Sequence, residues 1–355
     1  MYMQSRRWQR IMSSGMLLVA LSACGGTAVP EAATPATESD SAKQALVIYS
    51  GRSEALITPI IEAFQQAHPE IAVNVKSGKN NELAAAILEE QQNPQADVFI
   101  STDMLTHINL SASGALAKEP IAGTENIPSA LKAPDGSWSS ITARARVIMY
   151  NTELVSAEEA PQSIFDLTDP KWKGKVAAAN STNGAMQAQV AMMMNTVGEE
   201  ATKAWLDGLV ANETTFFGGH TDVRKAVGAG EFAIGLVNHY YYELQKREAS
   251  DNKVAVVYPD QGADQIGVMV NTTAVGIIAG SSHAAAAKTF VEFLFLPSTQ
   301  QLFAELNYEY PLIEGVTVAE GVTPLESVRT LDVDMPSIAR DVPAAIQLMQ
   351  GAGIP

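Results

Sequence analysis

Apolar residues Leu46, Val47, Ile48 and Tyr49 form a short run that stops at Ser50-Gly51. The period then changes. Leu56, Ile60, Ile61 and Phe64 recur at helical spacing, and "IAVNVKSG" returns to the alternation of a strand. "NNELAAAILEEQQNPQ" places Leu83, Ile87 and Leu88 on one helical face, and "ADVFIS" is a third strand. This alternation of strand and helix implies a parallel sheet with right-handed crossovers. Ligands of such sheets gather at the carboxyl ends of strands, where Ser50-Gly51-Arg52 and Ser101-Thr102-Asp103 stand.

A second α/β region follows. "SSITARARVIMYN", from Ser139 to Asn151, reads as a long strand crossing between two lobes. "GKVAAANS" and "FAIGLVNHYYY" read as strands, and a helix with a Met-rich face starts at Gly184. The run Met192-Met193-Met194 reads as core, since thioethers fill gaps and suit soft metals. "VNTTAVGIIAG" looks like a strand returning to the first lobe, and "HAAAAKTFVEFLFLPSTQQLFAEL" holds one or two apolar helices. No internal repeat is evident.

The N-terminus has another pattern. A basic stretch, "MYMQSRRWQR", precedes a short apolar segment ending in "LSAC", where Cys24 is the only cysteine. Residues 1–23 read as a signal peptide. "LSAC" resembles the bacterial lipobox, which implies lipidation of Cys24. Residues 24–44 then form a flexible tether rich in Ala, Thr, Pro and Ser. A single cysteine excludes a disulfide framework and a Cys-based zinc site. The formal charge of −16 becomes −19 when Arg6, Arg7 and Arg10 leave with the leader. That acidity argues against nucleic acid as a partner and is compatible with a cationic cargo.

The segment "VNHYYYELQKRE" holds three of the chain's nine tyrosines side by side. Aromatic packing is one reading, and ligation of a hard metal ion is the other. Phenolate oxygen suits a hard cation, but free tyrosine has a pKa of about 10, so neutral-pH binding must displace a proton.

Several segments occur in a telling order: "VIYSGRSEALITPIIEAFQ", "NPQADVFIS", "RARVIMYN", "FDLTDPKWKGKV", "NHYYYE" and "NYEYPL". From about Leu46 onward the chain resembles the tyrosine-ligated, ferric-iron-binding subgroup of ABC-transporter solute-binding proteins. The resemblance implies an α/β, two-lobed type 2 periplasmic binding protein fold. Each lobe would be a mixed sheet flanked by helices, with hinge strands crossing between them. Residues 45–142 and 270–318 would form the first lobe, and 143–269 and 319–355 the second.

It also implies a site in the cleft. Tyr240 and Tyr241 map onto the iron-binding tyrosine pair, and Tyr150 onto a third phenolate. Adjacent residues point to opposite faces of a strand but lie about 100° apart at the first turn of a helix. The strand should therefore end at Asn238 or His239, leaving Tyr242 to pack elsewhere. Ser53 and Thr102 stand where some members carry ligands, so a small anion, carbonate or bicarbonate, would complete the sphere. Arg52 is suited to hold it, with Arg146, Asn183, Gly184 and Asn238 as further anion contacts. Arg146 could equally pair between lobes. Asp103 is either an additional ligand or a helix N-cap. The five histidines show no paired metal-binding spacing.

The resemblance implies a monomeric, extracytoplasmic receptor, in the periplasm or at the cell surface. It would deliver Fe³⁺ to an ABC permease and touch the membrane only through its lipid. Another cargo on the same scaffold, an oxoanion or small organic cation, is the alternative. An enzyme is disfavoured: there is no G-x-S-x-G elbow and no cysteine nucleophile outside the lipobox.

Overall fold

A computed structural model describes residues 44–248 and 253–355. The leader, Cys24 and nearly all of the tether lie outside the described residues. The fold is the two-lobed α/β arrangement of periplasmic binding proteins.

In the first lobe β1 (Gln44–Ser50) lies between β2 (Ile71–Ser77) and β3 (Val98–Ser101), all parallel. The connecting helices are α1 (Glu54–Ala67) and α2 (Asn80–Glu89). Helix α1 buries Leu56, Ile57, Ile60, Ile61 and Phe64, the apolar face seen in the sequence. Helix α3 (Met104–Ala112) follows β3, and Asp103 caps it by accepting from the Thr106 amide at 2.7 Å.

Strand β4 (Ser139–Asn151) crosses the molecule and is buried along its whole length. Thirteen residues at about 3.3 Å each are long enough to serve both lobes. The second lobe then adds β5 (Val176–Ala179), α4 (Gly184–Val197), α5 (Glu199–Ala211) and β6 (Thr215–Phe217). It continues with α6 (His220–Gly228), β7 (Ile234–Asn238), α7 (His239–Glu248) and β8 (Val254–Val257). Asn183 caps α4, its side-chain oxygen accepting from the Ala185 and Met186 amides.

The chain returns through β9 (Val270–Ile277), antiparallel to both β3 and β4. The apolar stretch after it is two helices, α8 (Ala284–Leu294) and α9 (Pro297–Asn307), divided at Leu296-Pro297. A proline has no N–H to continue the first helix but fits the first turn of the second. The two-residue strand β10 (Tyr310–Pro311) pairs with β4, and α10 (Met335–Gly351) closes the chain against α4 and α3.

Strand β4 thus changes partners midway. Its Ser139–Ala145 portion pairs with β9, and its Arg146–Tyr150 portion with β7. The change of partner falls between Ala145 and Arg146, beside the end of β7 at Asn238, and the tyrosine triplet begins two residues after that end.

Candidate metal and anion site

Strand β7 ends at Asn238 and α7 begins at His239, so Tyr240 and Tyr241 fall in the first turn of a helix. Their rings lie 4.3 Å apart with a 32° tilt. Both line a cavity of about 190 Å³ together with Gly51, Arg52, Ser53, Thr102, Arg144, Asn183, His220 and Asn238. Tyr242 is absent from that lining and packs under Lys246, whose ammonium is 4.6 Å from its ring centroid. A larger hollow of about 610 Å³ lies under the 316–330 segment, but its walls do not include the tyrosine pair.

His239 faces away from the cavity. Its Nδ1 accepts from the Ala145 amide at 3.2 Å, and its Nε2–H donates to the Tyr308 carbonyl at 2.7 Å. The ring stacks on Tyr310 at 4.1 Å. Burial holds this imidazole down to about 3, so it is neutral. The residue before the pair is therefore a strut between β4 and β10.

Burial, and then the neighbouring Tyr240, push the Tyr241 phenol well above its ordinary pKa. Near neutral pH Tyr241 is a phenol, and only a bound cation can draw off its proton.

Tyr150 does not join the pair. It lies opposite Ile234, at the far end of the β4–β7 ladder from Asn238. Four residues of strand put it about 13 Å beyond Arg146. There it is buried in the core with Ile148, Val155 and Ile234. The third phenolate implied by the resemblance is thus displaced by strand length.

Arg52 lines the cavity, but its guanidinium is already engaged. It donates to Glu309 at 2.9 and 3.2 Å and to Thr273 Oγ1 at 2.7 Å. The free fork expected for an anion is therefore occupied by a carboxylate. Among the described residues Arg146 makes no ion pair between lobes. It donates to Gln189 Oε1 at 2.8 Å, Asn238 Oδ1 at 3.0 Å and His220 Nε2 at 3.1 Å. Burial pulls it down to about 9, which leaves it charged at neutral pH.

Gly184 touches the opposite lobe rather than the cavity itself. A Cβ there would come within 3.2 Å of Asn80 Nδ2 and 3.3 Å of Asp103 Oδ2. Asp103 is spent as the α3 cap and on Asn80. Of the other histidines, His107 is sandwiched between Ser101 and the Phe99 carbonyl, and His283 meets Asp97.

One cavity residue was not anticipated as a contact, Arg144. Arg144 shares a strand face with Arg146 by the two-residue period, so the "RAR" alternation could have flagged it. His220 opens α6 and meets Tyr241 edge-on at 5.3 Å.

Residues 93–335 match the model of the bacterial extracellular solute-binding proteins. The chain belongs to that family. Iron uptake protein A1 of Synechocystis sp. is 32% identical over 343 residues, 94% of this chain and 92% of that protein. Iron-bound HitA from Pseudomonas aeruginosa superposes with a TM-score of 0.81 at 27% identity, covering 88% of this chain and all of that one. A Trichodesmium IdiA (FutA) structure in complex with iron and citrate gives 0.73 at 30% identity, over 88% of this chain and 100% of that one. In this member of the family Tyr240 and Tyr241 stand in the first turn of a helix and face a cavity whose wall also includes Ser53 and Thr102.

Proposed function

We propose that this protein is an extracytoplasmic ferric-iron receptor, not an enzyme. In this reading it binds Fe³⁺ between lobes formed by residues 45–142 with 270–318 and 143–269 with 319–355. The observation that carries the reading is the placement of Tyr240 and Tyr241, side by side in the first turn of α7 and both facing one cavity. Adjacent helical residues can occupy neighbouring corners of one coordination sphere. Phenolate oxygens are the hard anionic donors that Fe³⁺ prefers. The names of the relatives, which speak of iron uptake, support the same cargo.

Two phenolates leave the sphere incomplete, so an anion joins the metal, carbonate or bicarbonate in the simplest form. Asn183, with Gly184 beside it, and Asn238 are its contacts in the second lobe. Cys24 carries the lipid that holds the receptor at the membrane as a monomer, and an ABC permease receives the iron. A second reading, an oxoanion receptor, is favoured by Arg144 and Arg146, whose hydrogen bonds among the described residues go to neutral groups. Titration with ferric ion separates the two. A visible phenolate-to-iron charge-transfer band supports the ferric receptor, and a colourless protein that retains an oxoanion supports the second reading.

A further inference from the structure

Among the described residues, two buried arginines have their charge met by a carboxylate, Arg52 by Glu309 and Arg224 by Glu248. Arg146 is as deeply buried as Arg52, yet its hydrogen bonds go to Gln189, Asn238 and His220. All three are neutral, because burial, and then the Arg146 and Arg144 charges, hold the His220 imidazole well below its ordinary pKa. Arg144, two residues back along β4, differs. Against the upward push of burial, Arg52 and then Arg144 hold the Glu309 carboxyl below its usual range, so the field of Arg144 falls partly on that carboxylate.

Arg146 does not line the cavity, but two of its partners do. Asn238, opposite it in the β4–β7 ladder, is the last residue before α7. His220 opens α6 and meets Tyr241 edge-on at 5.3 Å. A single nitrogen, Nη1, reaches both, at 3.0 and 3.1 Å. Burial draws the guanidinium down to about 9, and the next charges to act on it are those of Tyr240 and Tyr241. That interaction is mutual. A cation held behind the phenol pair and away from water is little screened by salt, so it acts on whatever charge the pair holds.

Ferric ion brings one more positive charge than ferrous ion into the same ligands, whichever anion completes the sphere. Repulsion from Arg146 therefore weighs more on the ferric state. Gln189 is the neutral residue that leaves this repulsion in place. Its Oε1 accepts from Arg146 Nε at 2.8 Å, and its buried Nε2 has no partner among the described residues. A glutamate would keep the same bond and supply the missing charge.

We propose that Arg146 is a positioning residue that also sets the valence preference of the site. It braces the tyrosine pair through Asn238 and His220, and its unmatched charge narrows the margin by which ferric iron outbinds ferrous iron. This inference rests on the ferric reading above.

The test measures ferric affinity, and ferrous affinity without oxygen, both in bicarbonate buffer. The potential of the bound metal is read by spectroelectrochemical titration of the visible band. Gln189→Glu should raise the ferric-over-ferrous affinity ratio about tenfold, which lowers the potential by about 59 mV for one electron. Arg146→Gln should shift both in the same direction, and Arg146→Lys, which keeps the charge, should stay near wild type. Without metal, Gln189→Glu should unfold at or above the wild-type midpoint, since a lone buried cation gains a partner. An unchanged ratio and potential in Gln189→Glu overturns the proposal. So do ferric and ferrous affinities that fall by one common factor in Gln189→Glu and Arg146→Gln, the result expected of a strut alone. Either outcome leaves the ferric receptor standing, whereas a wild type that binds neither ion and shows no band overturns both.

Discussion

Arg52 meets Glu309 through nitrogen–oxygen contacts of 2.9 and 3.2 Å, with both side chains shut away from solvent. Thr142 Oγ1 donates to the same carboxylate at 2.6 Å, so the β1–α1 turn, β4 and the residue before β10 meet at one charge pair. Burial pushes the Glu309 carboxyl up, but Arg52, Arg144 and the hydrogen bonds outweigh it and hold it below the usual range. A lowered carboxylate contributes stability above its unfolded pKa and loses it as pH falls through the folded value. Stability should therefore fall on acidification below about 4.5, its ordinary value. Glu309→Ala leaves Arg52 charged and buried, and should cost about 3–5 kcal/mol in denaturant unfolding. A loss under 1 kcal/mol would show that the pair is not a structural joint.

The tyrosine assignment separates three residues. Tyr240→Phe and Tyr241→Phe should each lower ferric affinity by a hundredfold or more, beyond the ten to hundredfold typical of outer-shell partners. Tyr150→Phe should leave the visible band and affinity unchanged, because Tyr150 is buried about 13 Å along the strand from Arg146. A band lost in Tyr150→Phe would mean that β4 re-registers when iron binds.

These residues show how far the sequence could be read. The alternation of apolar runs foretold β1, α1, β2, α2 and β3, because each buries one face and each period is local. The end of β7 at Asn238 was legible from the geometry two adjacent ligands require. The two-residue strand β10 was not, since its pairing with Ala143 and Thr142 leaves no periodic trace. Nor was the engagement of Arg52. Glu309 lies 257 residues away and becomes its partner only when α9 returns to the first lobe. Tyr150 shows the complementary failure. A motif fixes which residue follows RARVIM, and only the register against β7 fixes how far it stands from the cleft.

Iron loading should be strongly pH-dependent. Tyr241 resists ionisation when the cavity is empty, so the metal must expel its proton. Each proton displaced strengthens apparent affinity by about tenfold per pH unit as pH rises, below the phenol pKa. Burial, and then the Arg146 and Arg144 charges, hold His220 well below its ordinary pKa, so it adds no step near pH 6. A competition titration between pH 5.5 and 7.5 should give a smooth slope of one to two decades per unit. A plateau across that range would mean that phenolates are not the ligands.

The closing motion has its own test at Gly184. The start of α4 rests against Asn80 and Asp103 of the first lobe, and a Cβ there would meet both at 3.2–3.3 Å. Such spacing is tight, and a larger side chain could be accommodated only by holding the lobes apart. A cargo closes a hinged protein only through higher affinity for the closed state. Gly184→Val should therefore leave the thermal midpoint within a few degrees of wild type, because each lobe keeps its own core. Its ferric affinity should fall at least tenfold. Small-angle scattering should show wild type contracting on loading and Gly184→Val remaining expanded at the same ferric concentration. If the variant contracts and binds like wild type, the contact at α4 is not part of the closed state, and the cavity must be completed by a different approach of the lobes.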